Sequence, residues 1–187
     1  MPIFSVGHSS HSAERFFELI APFHITHIID VRSKPFSKWV PHFNKENFKK
    51  LAENHGYKYE WWGETLGGFG RKGGADDIDH PVDVYYGETL GGSGRKGDES
   101  FQKAIEKLSI KFGESSESTA VIVCAEKDPT ECHRSNLIGS ALRALPETSV
   151  DIQHILPDGN VVRQSSLEER GKVSRKDRSG TMSLFDE

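Results

Sequence analysis

Short apolar runs alternate along this chain with segments whose apolar residues recur every three or four positions. Ile3 to Val6 stops at Gly7, Ile25 to Val31 is rich in isoleucine, and Tyr57 to Trp62 is aromatic. Thr119 to Cys124 (TAVIVC) is the most continuous run, and Val150 to Leu156 precedes the turn Pro157-Asp158-Gly159-Asn160. Runs of this length bounded by turn residues predict buried strands. Between them, Ser12 can cap a helix carrying Phe16, Phe17, Leu19 and Ile20 up to Pro22. Asn44 can cap a second helix with Phe48, Leu51 and Ala52, ended by Gly56 in a left-handed conformation. Phe101, Ala104, Ile105 and Leu108 mark a third helix, and Leu137, Ile138, Ala141, Leu142 and Leu145 a fourth. Strands separated by helices predict one α/β domain over residues 1–163, with a mostly parallel sheet of about five strands and helices on both faces.

Two departures from this pattern matter. Residues 63–73 (GETLGGFGRKG) recur as residues 87–97 (GETLGGSGRKG), a local duplication in one long loop, because neither copy has an apolar face to stack. From Gln164 onward apolar residues nearly vanish, so residues 164–187 are expected to form a flexible polar tail that cannot offset its ordering entropy by burial.

The 187 residues include 2 cysteines, too few for a disulfide framework, which places the chain in a reducing cytoplasm. No apolar stretch is long enough to span a membrane, and no secretory signal precedes Ile3. The net charge of -4 excludes a wholesale basic footprint and confines any nucleic-acid contact to one face.

In a parallel sheet, ligands bind beyond the carboxyl ends of the strands. The chemistry-bearing residues fall there: His8 and Ser9 after the first strand, Asp30 and Arg32 after the second, Glu126 and the segment to Arg134 after the fourth. Cys132, beside His133 and Arg134 at an expected helix start, is the nucleophile candidate, since a helix N-terminus can hold an anion or lower a thiol pKa. Cys124, at a strand end, is expected to pack as an inert thiol. Arg32 and Arg134 are candidates to clamp a phosphate or carboxylate, with the pairing of Arg32 to Asp30 or Glu126 as the alternative. His8 and His133 are proton carriers, and Glu126 an acid/base or orienting group. Gly67 and Gly68 let backbone approach a ligand, while Arg71, Lys72, Arg95 and Lys96 can reach a phosphate. Trp39, Trp61 and Trp62 offer stacking faces but are expected to pack. A zinc set of Cys124, Cys132, His133 and His8 is disfavoured by the long cysteine spacing, and no cofactor is expected.

The segments Ser5-Val6-Gly7-His8-Ser9, Ile29 to Pro35, Tyr59 through Leu66-Gly67-Gly68, Cys124-Ala125-Glu126 with Pro129, Cys132-His133-Arg134 and His154-Ile155 together resemble the bacterial and archaeal family known as domain of unknown function 488. The resemblance covers roughly residues 3 to 156 and implies an intracellular α/β domain with a shared polar site; the doubled glycine-rich segment departs from the family pattern. The strand-end layout is also similar to rhodanese and cysteine-phosphatase domains, although the Cys124 to Arg134 spacing exceeds that of their catalytic loop. Thr181 to Phe185 is similar to the peptide by which bacterial polymerases and repair proteins dock on the sliding clamp, with Met182, Leu184 and Phe185 as anchors.

The expected function is an enzyme acting on nucleic acid or a nucleotide-like anion, associated with DNA repair, through a cysteine, histidine and arginine site. The alternatives are a non-catalytic nucleic-acid or nucleotide-binding module and a rhodanese-like or phosphatase-like thiol enzyme.

Overall fold

The computed structural model describes residues 3–68, 99–113, 117–146 and 150–169. The second glycine-rich copy at 87–97, the basic residues Arg71, Lys72, Arg95 and Lys96, and the peptide residues Met182, Leu184 and Phe185 lie outside them.

Each predicted apolar run forms a strand: β1 (Phe4–Gly7), β2 (His27–Asp30), β3 (Lys58–Trp61), β4 (Ala120–Cys124) and β5 (Gln153–Ile155). A sixth, β6 (Val161–Arg163), joins them in the order β3-β2-β4-β1-β5-β6. All neighbours are parallel except β6, which runs antiparallel to β5. At three residues β6 is too short to display a period, so only the turn before it was visible in the sequence. That turn closes through Leu156 N–H to Asn160 O at 2.8 Å, with Gly159 at φ +89°.

The helices are α1 (Ala13–Ile20), α2 (Lys45–Asn54), the single turn α3 (Gly63–Leu66), α4 (Glu99–Leu108), and a π-helical segment (Arg134–Gly139) that runs into α5 (Ser140–Arg143). Ser12 caps α1 by accepting from Arg15 N–H at 3.2 Å. Asn44 does not cap α2 with its side chain; its Oδ1 accepts instead from Ser37 N–H at 2.6 Å and folds back the loop after β2. Gly56 ends that helix at φ +84°, in the left-handed conformation expected.

Alternation along the strands sorts the core into two layers. Val121 and Val123 of β4 join Phe16, Phe17 and Phe48 of α1 and α2 on one face. Ala120, Ile122 and Cys124 join Phe101, Ile105, Leu108, Leu137 and Ile138 on the other. Folded structure continues past Arg163, where the tail was expected to begin: residues 164–169 are helical, and buried Gln164 accepts from His154 Nε2–H at 2.7 Å. No helix among the described residues is long and apolar enough to cross a membrane.

Candidate functional site

β4 lies between β1 and β2, which feed α1 and α2 on one face, whereas β4 feeds the helices on the other. Loops leaving in opposite directions mark the carboxyl end of β4 as the place where open α/β sheets hold their ligands. The register fixes what meets there. Gly7 pairs with Cys124 and Asp30 with Val123, and the ladder continues past the strand ends through His8 N–H to Cys124 O and Ser9 N–H to Ala125 O.

Two layers of polar groups result. In the deeper one, Asp30 is fully buried and holds Arg32 by two parallel bonds, Nε to Oδ1 at 2.8 Å and Nη2 to Oδ2 at 2.6 Å. Tyr59 O–H donates to the same carboxylate at 2.7 Å; burial, then the Asp30 charge, raises the phenol's pKa and keeps it a donor. Arg32 Nη1 donates to His8 Nε2 at 3.0 Å, while His8 Nδ1–H donates to Ser9 O at 2.9 Å. The His8 ring stacks on Phe43 with centroids 4.4 Å apart. Burial first, and the Arg32 charge second, lower the His8 pKa to about 4, because a second proton on Nε2 would face a guanidinium N–H.

In the outer layer, His133 Nδ1 lies 3.5 Å from Cys124 Sγ and 3.8 Å from Cys132 Sγ. His133 Nε2 lies 3.3 Å from Val31 O. A carbonyl only accepts, so Nε2 carries a proton and Nδ1 is the atom turned toward the two sulfurs. A hydrogen bond from the Cys132 thiol holds Cys124 well below the ordinary thiol range against the opposing effect of burial, and His133 adds to it when its ring is charged and Nδ1 also carries a proton. Cys132, the donor of that bond, is pushed up. The sequence placed the nucleophile on Cys132 and packing on Cys124; both sulfurs lie beside His133 Nδ1, and the nearer of them, at 3.5 Å, is that of Cys124. Its position in register with Gly7 at the end of the central strand was the signal available.

Arg134 secures the loop through its two terminal nitrogens, while its buried Nε has no hydrogen-bond partner among the described residues. It is fully buried, with Nη1 donating to Glu126 O at 2.6 Å and Nη2 to Lys127 O at 3.0 Å. Arg32 is likewise committed to Asp30 and His8, so the expected two-arginine anion clamp gives way to two internal braces. The expected helix does begin at this place, π-helical over Arg134–Gly139 and α-helical over Ser140–Arg143, after the single 3-10 turn Pro129–Glu131. Glu126 is exposed, and its carbonyl rather than its carboxylate is held. Ser9 sits at φ +45°, a conformation uncommon for serine that turns its carbonyl back to His8.

Glycines let these layers touch. A Cβ on Gly7 would overlap the Glu126 carbonyl and lie 2.7 Å from Arg134 Nη1. A Cβ on Gly68 would stand 3.1 Å from His133 Cγ and Nδ1, and the Gly68 carbonyl accepts from Ser33 O–H. A Cβ on Gly67 would overlap Gly63 O and Ser33 Oγ. The first glycine-rich copy therefore borders the outer layer.

Beyond Ser33, the loop after β2 reaches solvent. Phe36 is 71% and Trp39 90% exposed, beside exposed Lys34 and Lys38. Trp39 thus does not pack as expected, whereas Trp61 and Trp62 are half-buried, Trp61 beneath the Lys45 ammonium at 3.6 Å.

No curated protein and no solved structure matches the chain. Residues 12–140 match the family model described as Domain of unknown function DUF488, a span lying inside the 3 to 156 of the resemblance. With most of the 187 residues under that model, the chain belongs to the DUF488 family.

Proposed function

We propose that the protein is an intracellular enzyme whose reaction centre is Cys124, Cys132 and His133, and whose substrate is nucleic acid or a nucleotide-like anion. The observation that carries this reading is the convergence of two sulfurs and one imidazole nitrogen, all within 4.8 Å, at the carboxyl end of the central strand. His133 is the half-buried member, so reactants approach from its side, past Gly68 and Ser33.

The substrate class follows from the loop that departs from Ser33. Rings interleaved with lysines on one exposed loop suit bases that stack while phosphates face cations. Phe36 and Trp39 supply the rings, Lys34 and Lys38 the charge. With Arg32 and Arg134 committed to the protein, these lysines replace them as the anion contacts. Docking of Met182, Leu184 and Phe185 on a sliding clamp, with a role in DNA repair, belongs to the same proposal.

Trp39 fluorescence titrated with single-stranded oligonucleotides tests the substrate class. Binding is expected to weaken with salt and to lose about 1–3 kcal/mol in Trp39→Ala, the contribution of one stacked base. His133→Gln is expected to retain that binding while abolishing turnover of the bound strand or nucleotide. Absence of binding, or affinity indifferent to Trp39→Ala, sinks the substrate assignment. Turnover surviving His133→Gln and Cys124→Ser would remove the reaction centre from this cluster, and binding without turnover by the wild-type chain would leave a binding module in place of an enzyme.

A further inference from the structure

The outer layer has the geometry of a metal centre. An ion held tetrahedrally by ordinary zinc–sulfur and zinc–nitrogen bonds, about 2.3 and 2.1 Å long, sets sulfur and nitrogen about 3.6 Å apart along an edge. The two observed separations from His133 Nδ1 are 3.5 and 3.8 Å. Sulfur to sulfur, the same tetrahedron asks for about 3.8 Å, and all three atoms lie within 4.8 Å of one another.

The surroundings match this geometry. Ligating histidines commonly donate their other ring N–H to a carbonyl or carboxylate, which fixes the tautomer and aims the lone pair. His133 does so through Nε2–H to Val31 O. Cys132 Sγ additionally accepts from Arg134 N–H at 3.5 Å, a usual partner for a bound thiolate. Both sulfurs are buried, so each lone pair turned to the centre needs a proton or a cation. The seven residues between the cysteines, which argued against zinc in the sequence, are the β4-to-helix loop. Strand end and loop end supply one sulfur each, so the close-spaced ligand pair of a zinc knuckle is not required.

Resting on the reading of this cluster as the reaction centre, we infer that Cys124, Cys132 and His133 bind one zinc-class divalent ion through two thiolates and Nδ1. The fourth tetrahedral position is left to water or substrate, as in catalytic rather than structural sites. On binding, protons still held by the sulfurs pass to solvent, two metal–sulfur bonds and one metal–nitrogen bond form, and no electron is transferred. Two thiolates neutralise the ion, so the buried centre carries no net charge beside Arg134. His8 is not a ligand, because its Nε2 accepts from Arg32.

Cobalt(II) added to the reduced, metal-free full chain tests the inference. The chain holds 2 cysteines, so any thiolate-to-cobalt charge transfer must arise from them. The expected result is that band together with strong visible absorption of a tetrahedral ion, saturating at one cobalt per chain and bleached by zinc. Cys132→Ser is expected to remove one thiolate's share of the band, and His133→Gln to shift the visible bands. Should either variant fail to fold, the wild-type spectrum still decides: no charge-transfer band in the folded chain overturns the inference. So does a folded Cys132→Ser whose spectrum is unchanged. If Trp39-dependent oligonucleotide binding and His133-dependent turnover persist in chelator-treated protein, the metal alone is refuted; if they too are missing, the reading beneath it fails.

Discussion

Asp30→Ala is expected to cost the fold about 3–5 kcal/mol, the usual consequence of leaving one partner of a buried ion pair behind. The carboxylate is fully buried and satisfies the Arg32 side chain, the Arg32 backbone N–H and the Tyr59 hydroxyl. Without it the guanidinium keeps its bond to His8 but has no carboxylate partner among the described residues. Replacing both partners, as in Asp30→Ala with Arg32→Met, is expected to cost less than the single change, because no charge is then stranded. Denaturant unfolding of the two variants makes the comparison. A single-variant loss below about 1 kcal/mol, or a double variant no better than Asp30→Ala, would mean that this pair does not brace the site.

Gly7→Ala is expected to destabilise by about 3 kcal/mol, at the upper end of overpacking effects, which lowers the melting temperature by roughly 6–12 °C for a chain of this size. The added methyl meets first the Glu126 carbonyl, which is backbone, and then Arg134 Nη1, which is itself held to that carbonyl. Relief requires the loop after β4 to move, taking with it the carbonyls that Arg134 holds and the seat of Cys132 and His133. Activity and cobalt absorption should therefore fall further than stability does. A variant within about 0.5 kcal/mol of the parent would show that β1 and the loop are not in such close contact.

The parallel framework was legible because its five mutually parallel strands, such as Ala120–Cys124, fall within short apolar or aromatic runs between amphipathic helices. Topology then placed the strand-end motifs at one rim, which spacing alone could not do. The sequence was less informative about roles. Arg32 and Arg134 look the same on paper whether they grip a ligand or a carbonyl; burial against Asp30, Glu126 and Lys127 separates the two. Cys124 reads as a packing residue from its apolar strand, because its neighbours His133 and Cys132 arrive from a loop whose path propensity does not encode. The carbonyl of Val31 that orients His133 leaves no trace in a sequence at all, since every residue has one. Trp39 departs from expectation for the opposite reason: aromatic residues usually go to cores, and only the loop's fold shows this one standing out in solvent.

The account turns on His133 presenting Nδ1 to both sulfurs, and long-range nitrogen–proton correlation of its ring in the reduced chain measures that directly. The predicted spectrum has a proton on Nε2, held by Val31, and an Nδ1 signal that moves in Cys124→Ser and in Cys132→Ser. A neutral ring protonated on Nδ1, or an Nδ1 signal indifferent to both substitutions, would contradict it.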